Sequence, residues 1–169
     1  MDTLTQEKLR SFLHYDPTTG VFTHLTKTSR REAGDEAGTL NKRGYRVICI
    51  EAEAYYAHRL AFLYMVGRFP NEVADHINGI KDDNRWCNLR EATQSQNIIN
   101  QPLRKDNKTG YKCVRPRGKR FTAQITVNKK RIPLGIYDTA EEAGRVAQAA
   151  RLHYYGEFAT PRTTTKEAE

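Results

Sequence analysis

No apolar stretch in these 169 residues approaches the length that crosses a bilayer, and no signal-peptide pattern opens them. Both absences predict a soluble protein with no membrane partner. Cysteine is scarce. Cys49, Cys87 and Cys113 are odd in number, far apart and form no CxxC pair, which excludes a zinc ribbon or a dithiol redox motif and predicts reduced thiols in a cytoplasmic protein. Acidic residues are outnumbered, 20 against 28 Lys plus Arg, for a formal charge of +8. A chain this basic attracts polyanions, because each Lys or Arg set against a phosphate releases condensed counterions. Nucleic acid is the first partner this implies. The length suits one ordinary domain or two small ones.

Periodicity divides the chain. Leu4, Leu9, Phe12 and Leu13 predict a short amphipathic helix, stopped by the turn Asp16-Pro17-Thr18-Thr19-Gly20. Val21 to Leu25 and Tyr45 to Ile50 predict strands, with a charged loop from Lys27 to Gly38 between them. Ala57 to Val66 predicts a helix capped by Gly67. The polar segment from Asp75 to Arg85 contains Asn78-Gly79, a tight-hairpin signal, and Asn88-Leu89-Arg90-Glu91 has the form of a capping box opening a helix whose stripe is Leu89, Ala92 and Ile99.

After Gln101 to Thr109, polar and interrupted by Pro102, the period changes to two. Phe121, Ala123, Ile125 and Val127 alternate with Arg120, Thr122, Gln124 and Thr126, and Ile132, Leu134 and Ile136 repeat the pattern. With Tyr111 to Arg115 these predict three short antiparallel strands. Thr139-Ala140-Glu141-Glu142 is a second capping box, opening a helix with Ala143, Val146, Ala147, Ala150 and Tyr154 on its inner side.

Asp75-His76, Asn88 and Asn97 form the densest cluster of chemically capable side chains. Hydrolysing a phosphodiester requires a base for water, a cation against the phosphate, and rigid placement of both; an imidazole with an ordinary pKa near 6.5 suits the first role. The spacing, with Ala57-His58-Arg59-Leu60, Asp75-His76-Ile77-Asn78-Gly79, Asp83-Asn84-Arg85 and Asn88-Leu89-Arg90, resembles the HNH endonucleases, in the phage and intron-encoded group whose final His is replaced by Asn. That resemblance covers roughly Asp16 to Asn100. It implies a ββα-metal arrangement in which His76 is the base, Asn88 orients the hairpin, and Asp75 and Asn97 bind one divalent cation. Oxygen ligands of this kind favour magnesium, with manganese as a substitute. His58, among Tyr55, Tyr56 and Leu60, reads as a structural histidine near the site.

The text Tyr111 to Ile125, with Leu134 to Ala143 and Tyr155 to Ala159, resembles the Apetala/ethylene-response-factor DNA-binding domain. The resemblance implies a three-stranded sheet laid in the major groove of double-stranded DNA, where Arg can pair with guanine edges. Arg115, Arg117, Arg120, Thr122, Gln124 and Thr126 are then the contact candidates, with Lys119, Lys130 and Arg131 on phosphates. One departure is that Arg120-Phe121 stands where that family often has Trp.

The expectation is therefore an α+β chain: an HNH nuclease domain with an N-terminal helix and strand extension over 1–100, a linker over 101–109, a DNA-binding domain of three antiparallel strands and one helix over 110–160, and a disordered tail over 161–169. No dimerisation motif is visible, which favours a monomer. The function implied is that of a homing-type DNA endonuclease encoded by a phage, the alternative being a catalytically inactive, sequence-specific DNA-binding regulator.

Overall fold

The computed structural model describes residues 4–27 and 31–159; the expected tail over 161–169 and part of the expected loop after Lys27 lie outside these. The chain divides into two compact units, Met1–Gln94 and Ser95–Glu169, each a mixture of helices and small antiparallel sheets.

In the first unit, helix α1 (Gln6–Phe12) starts at Thr5, whose hydroxyl accepts from Lys8 N at 3.2 Å. This N-cap satisfies one of the donors that a helix start leaves over. Strand β1 (Leu13–Tyr15) follows at once and pairs with β2 (Phe22–His24) across the expected Asp16–Gly20 turn. Strands β3 (Thr39–Leu40), β4 (Arg46–Ile50) and β5 (Glu53–Tyr56) form an antiparallel sheet in that order. The β4–β5 turn is built from Glu51 and Ala52, both at positive φ (50° and 67°). A tight hairpin needs this conformation, but neither residue advertises it, so β5 was not legible in advance.

Helix α2 (Ala57–Val66) ends, as expected, at Gly67, in the left-handed region at φ 81°. It packs Ala57, Leu60, Ala61 and Leu63 into a core completed by Leu9, Leu13, Tyr15, Phe22 and Ile48. Tyr15 stacks on Phe22 with ring centroids 4.6 Å apart, and Tyr64 meets both edge-on. Side chains of this size contribute about 1.5–3 kcal/mol each on burial. That core is what the site is mounted on.

Strands β6 (Val73–His76) and β7 (Leu89–Ala92) make a two-stranded antiparallel pair in which Asp75 faces Arg90 and His76 faces Leu89. Two expectations are corrected here. Asn88 does not cap a helix; it ends a 3₁₀ turn (Trp86–Asn88), and Leu89 to Ala92 is extended, so helix α3 is confined to Gln94–Asn100. Cross-strand pairing with β6 outweighed a local capping preference of about 1 kcal/mol. Nor does Asn78-Gly79 form a two-residue hairpin turn. It bends the start of a long loop, with Gly79 N donating to His76 O at 2.9 Å, and Ile77 N to Asn88 O closing the loop's base at 2.9 Å.

In the second unit, β8 (Val114–Arg117), β9 (Arg120–Val127) and β10 (Lys130–Tyr137) form an antiparallel sheet, and α4 (Ala140–Tyr155) packs on it through Ala143 and Ala147 against Val114 and Ala123. Thr139 caps α4 by accepting from Glu142 N at 3.2 Å. The expected inner stripe of β10 breaks midway. A bulge between Pro133 and Gly135 shifts the register by one residue, leaving Ile136 exposed while Tyr137 joins the core. Because side chains alternate, one extra residue exchanges the faces of everything beyond it. Tyr154 is likewise exposed, and Arg151 is buried instead, donating from Nη2 to Ile99 O at 3.1 Å. The stretch 101–109 carries its own knot, in which Asn107 Oδ1 accepts from Thr109 N at 3.0 Å and Gly110 N at 2.8 Å.

Candidate active site

The loop joining β6 to β7 is a hydrogen-bonded cage. Asn88 Oδ1 accepts from Asn78 N at 3.0 Å, and Asn88 Nδ2 donates to Asn78 Oδ1 at 3.0 Å and to Asp83 O at 2.7 Å. One buried amide thus holds two separate points of the loop. Asp83 adds to this by accepting from Asn78 Nδ2 at 2.7 Å and from the Arg85 guanidinium at 2.6 and 2.7 Å. The Arg85 hydrogen bonds hold the Asp83 carboxyl below its usual range.

His76, the last residue of β6, is 5% exposed, as is Asp75. His76 Nε2 lies 3.2 Å from Asn84 Oδ1. Its ring meets His58 edge-on at 5.0 Å and tilts against Tyr45 at 6.1 Å. Burial pushes the His76 imidazole below its ordinary pKa; the Asn84 hydrogen bond and the charges of Asp75, Asp83 and Asp82 oppose that shift without cancelling it. The ring is therefore neutral at pH 7, the form in which an imidazole accepts a proton. A general base needs one ring nitrogen within reach of one water, so slight exposure suffices.

Asp75 faces Arg90, whose Nε and Nη2 both donate to Asp75 Oδ2, at 3.0 and 2.9 Å. His58 is 7% exposed and stacks on Tyr56 at 5.4 Å, and burial lowers its pKa to about 3. Its Nδ1 is buried and has no hydrogen-bond partner among the described residues.

Asp75, His76, Asn88 and His58 therefore lie together in the first unit, three of them on the hairpin and its loop. Asn97 lies on α3, in the second unit. Among the described residues, no group of three or more His, Cys, Asp or Glu side chains is gathered as a metal cage. The donor chemistry nevertheless fits a hard divalent cation of the kind that takes one or two carboxylates and completes its shell with water and substrate phosphate, for which Asp75 would supply the carboxylate.

Asn84 escaped the sequence reading as a site residue. It stands within the Asp83-Asn84-Arg85 text, but a polar loop residue carries no mark of burial, and only the fold reduces it to 2% exposure beside the imidazole.

In the second unit, Arg115, Arg117, Lys119, Arg120, Thr126, Lys130 and Arg131 are exposed, and Thr122 and Gln124 are half-buried. Arg115 faces Thr122 and Arg117 faces Arg120 across β8 and β9, while Thr126 faces Arg131 across β9 and β10. Val114, Ala123 and Ile125 are buried. Arg120 Nε also donates to Asp138 Oδ1 at 2.8 Å.

Comparison with known proteins converges on the same hairpin. Residues 55–98 match the family described as HNH endonuclease. Over 124 residues, 72% of this chain, the sequence is 30% identical to an uncharacterized HNH endonuclease of Acanthamoeba polyphaga mimivirus, and the match spans 64% of that protein's length. No solved structure matches the chain. No helix among the described residues is long and apolar enough to cross a membrane. The strand pair carrying Asp75 and His76, the Asn88 cage and the preceding α2 all fall inside residues 55–98, the segment that matches the HNH endonuclease family.

Proposed function

We propose that this chain is a DNA endonuclease that hydrolyses phosphodiester bonds with one divalent cation. The observation that carries this reading is His76, buried, neutral at pH 7 and within the electrostatic reach of the Asp75 carboxylate, inside the segment that matches the HNH family.

In the reaction His76 takes a proton from water, the water oxygen bonds to phosphorus, and the bond from phosphorus to the 3′ oxygen breaks, the oxygen leaving with the electron pair and taking a proton from solvent. Asp75, its orientation set by Arg90, would hold the cation, and Asn97 would be the second protein ligand that the family resemblance implies. When bound, the cation supplies positive charge against the phosphate and the leaving oxygen; magnesium suits these ligands and manganese substitutes. Asn88 fixes the loop on which the chemistry depends and does not itself transfer a proton.

The second unit is the DNA-reading module of this proposal, similar to the Apetala/ethylene-response-factor domain, with the β8–β9 face set in the major groove. Arg115, Arg117, Arg120, Thr122, Gln124 and Thr126 contact base edges there, while Lys119, Lys130 and Arg131 contact phosphates. The whole is a monomeric, homing-type enzyme of phage origin, acting on double-stranded DNA in the host cytoplasm.

The test is incubation of the purified chain with supercoiled plasmid and magnesium, with chelator and His76→Ala as controls. Relaxed or linear plasmid that disappears in both controls supports the enzyme. The exposed Arg115, Arg117, Lys130 and Arg131 of the second unit favour one second reading, a sequence-specific DNA-binding regulator without cleavage. Intact plasmid together with tight DNA binding selects that reading.

A further inference from the structure

His76 can carry its proton on either ring nitrogen, and which nitrogen is bare decides where water must stand. The environment of Asn84 settles this from the backbone outward. Asn84 Nδ2 donates to Asp82 O at 3.1 Å. A backbone carbonyl only accepts, so the amide nitrogen must point to Asp82 and the amide oxygen to the imidazole. The oxygen in turn only accepts, so the His76 Nε2 that lies 3.2 Å from it must be the protonated nitrogen.

We infer that Asn84 is a positioning residue for His76: its side-chain amide selects the Nε2–H tautomer and leaves Nδ1 as the nitrogen that takes the proton from water. The inference deepens the nuclease reading and rests on it for the catalytic consequence, while the tautomer itself can be tested without any reaction.

Three further contacts keep Asn84 in place. Its own N–H donates to Asp82 O at 3.0 Å, and its carbonyl accepts from the buried Tyr15 hydroxyl at 2.7 Å. The Asp16–Gly20 turn presses against it from the other side, with Trp86 N donating to Pro17 O at 2.9 Å. A Cβ on Gly20, which sits at φ 79°, would overlap the Asn84 and Arg85 backbone, so this approach is available only to glycine. Asp82, the anchor of the amide, is itself gripped by Arg46, whose Nε and Nη2 reach Oδ1 and Oδ2 at 2.9 Å each, and Arg46 also pairs with Glu36 at 2.5 Å. Arg46 on β4 is thus linked through Asp82 and Asn84 to one ring nitrogen. Outer partners of this kind fix the orientation and tautomer of functional histidines generally.

The experiment is imidazole nitrogen NMR on metal-free, histidine-labelled protein at mildly alkaline pH, paired with plasmid cleavage. Wild-type protein is expected to show His76 with a protonated Nε2 and a bare Nδ1. Asn84→Leu, which keeps the bulk and removes the acceptor, is expected to mix the tautomers and to lower kcat by on the order of 10²-fold with KM unchanged. Asn84→Asp, which keeps an acceptor oxygen, is expected to restore the Nε2–H tautomer even if Asn84→Leu does not fold. A wild-type ring protonated on Nδ1 overturns the inference, as does Asn84→Leu with tautomer and kcat unchanged. The expected tautomer in a protein that cuts no plasmid overturns the nuclease reading and the base role of Nδ1, and leaves the action of Asn84 on the ring standing.

Discussion

Asp75 and Arg90 face each other across the β6–β7 pair, with two guanidinium nitrogens on a single carboxylate oxygen at 2.9 and 3.0 Å. Their side chains are 5% and 10% exposed, so this is a desolvated ion pair rather than a surface one. Removing one partner leaves the other charge buried without it. Arg90→Ala is therefore expected to destabilise the protein by about 3–5 kcal/mol in urea unfolding, while replacing both partners by apolar residues of similar volume costs much less. A single variant within about 1 kcal/mol of wild type would show that the pair is solvated in solution.

Asn88→Ala removes three hydrogen bonds that join Asn78 to Asp83. At about 1 kcal/mol each, more where a buried group is left unsatisfied, the loss is expected to reach roughly 2–4 kcal/mol. Cleavage should fall further than the folded fraction does, because the loop also carries Asn84. Activity that tracks the folded fraction alone would reduce Asn88 to a stabilising role.

The pH dependence of stability should carry the mark of His58. Its pKa falls from 6.5 to about 3 on folding because burial disfavours the charged ring. Between those values the unfolded chain binds a proton that the folded one refuses, so stability is fully present above pH 6.5 and declines as pH falls towards 3. One such group contributes a slope of about 1.4 kcal/mol per pH unit. His58→Leu should flatten the acid limb of a stability profile measured by thermal or urea unfolding; an unchanged slope would place the titration elsewhere.

Gly144 lies inside α4, where replacement by alanine ordinarily gains about 1 kcal/mol. Here the added methyl would run into the Tyr111 ring. Gly144→Ala is therefore expected to lower the melting temperature, and a smaller residue at Tyr111 should reverse part of that loss. Such coupling is what a double-mutant cycle measures.

On the proposed DNA face, Arg115→Ala and Arg117→Ala should weaken binding while leaving slow, nonspecific cleavage. Where the lost contact is to phosphate, the slope of log K against log salt should fall by about 0.9 per arginine. Unchanged affinity for both variants would remove the β8–β9 face from the interface.

Much of this organisation is legible in one dimension because it depends on local periodicity. Alternation from Arg120 to Val127 and helical spacing from Ala57 to Val66 each specify an element whose buried face is written into its own residues. Gly67 and Thr139 mark helix ends for equally local reasons. Asp75, His76 and Asn88 stand out because their order and spacing form a text. The strand at Leu89 to Ala92, the β4–β5 turn and the reversal at Ile136 were not legible, since each was decided by pairing with a neighbouring strand.

The amino-acid order alone thus determined the basic charge, the helix ends, the alternating strands and the pattern of carboxylate, imidazole and amide. Only the tertiary structure decided that Asp75 meets Arg90, that His76 and His58 are neutral, and that Asn84 lies against one ring nitrogen. The physical reason is desolvation. A side chain's protonation and partner depend on what excludes water around it; Tyr45 and His58 pack on His76, while Tyr15, Gly20 and Asp82 hold the Asn84 that touches it, residues scattered along nearly 70 positions of chain that no local window joins.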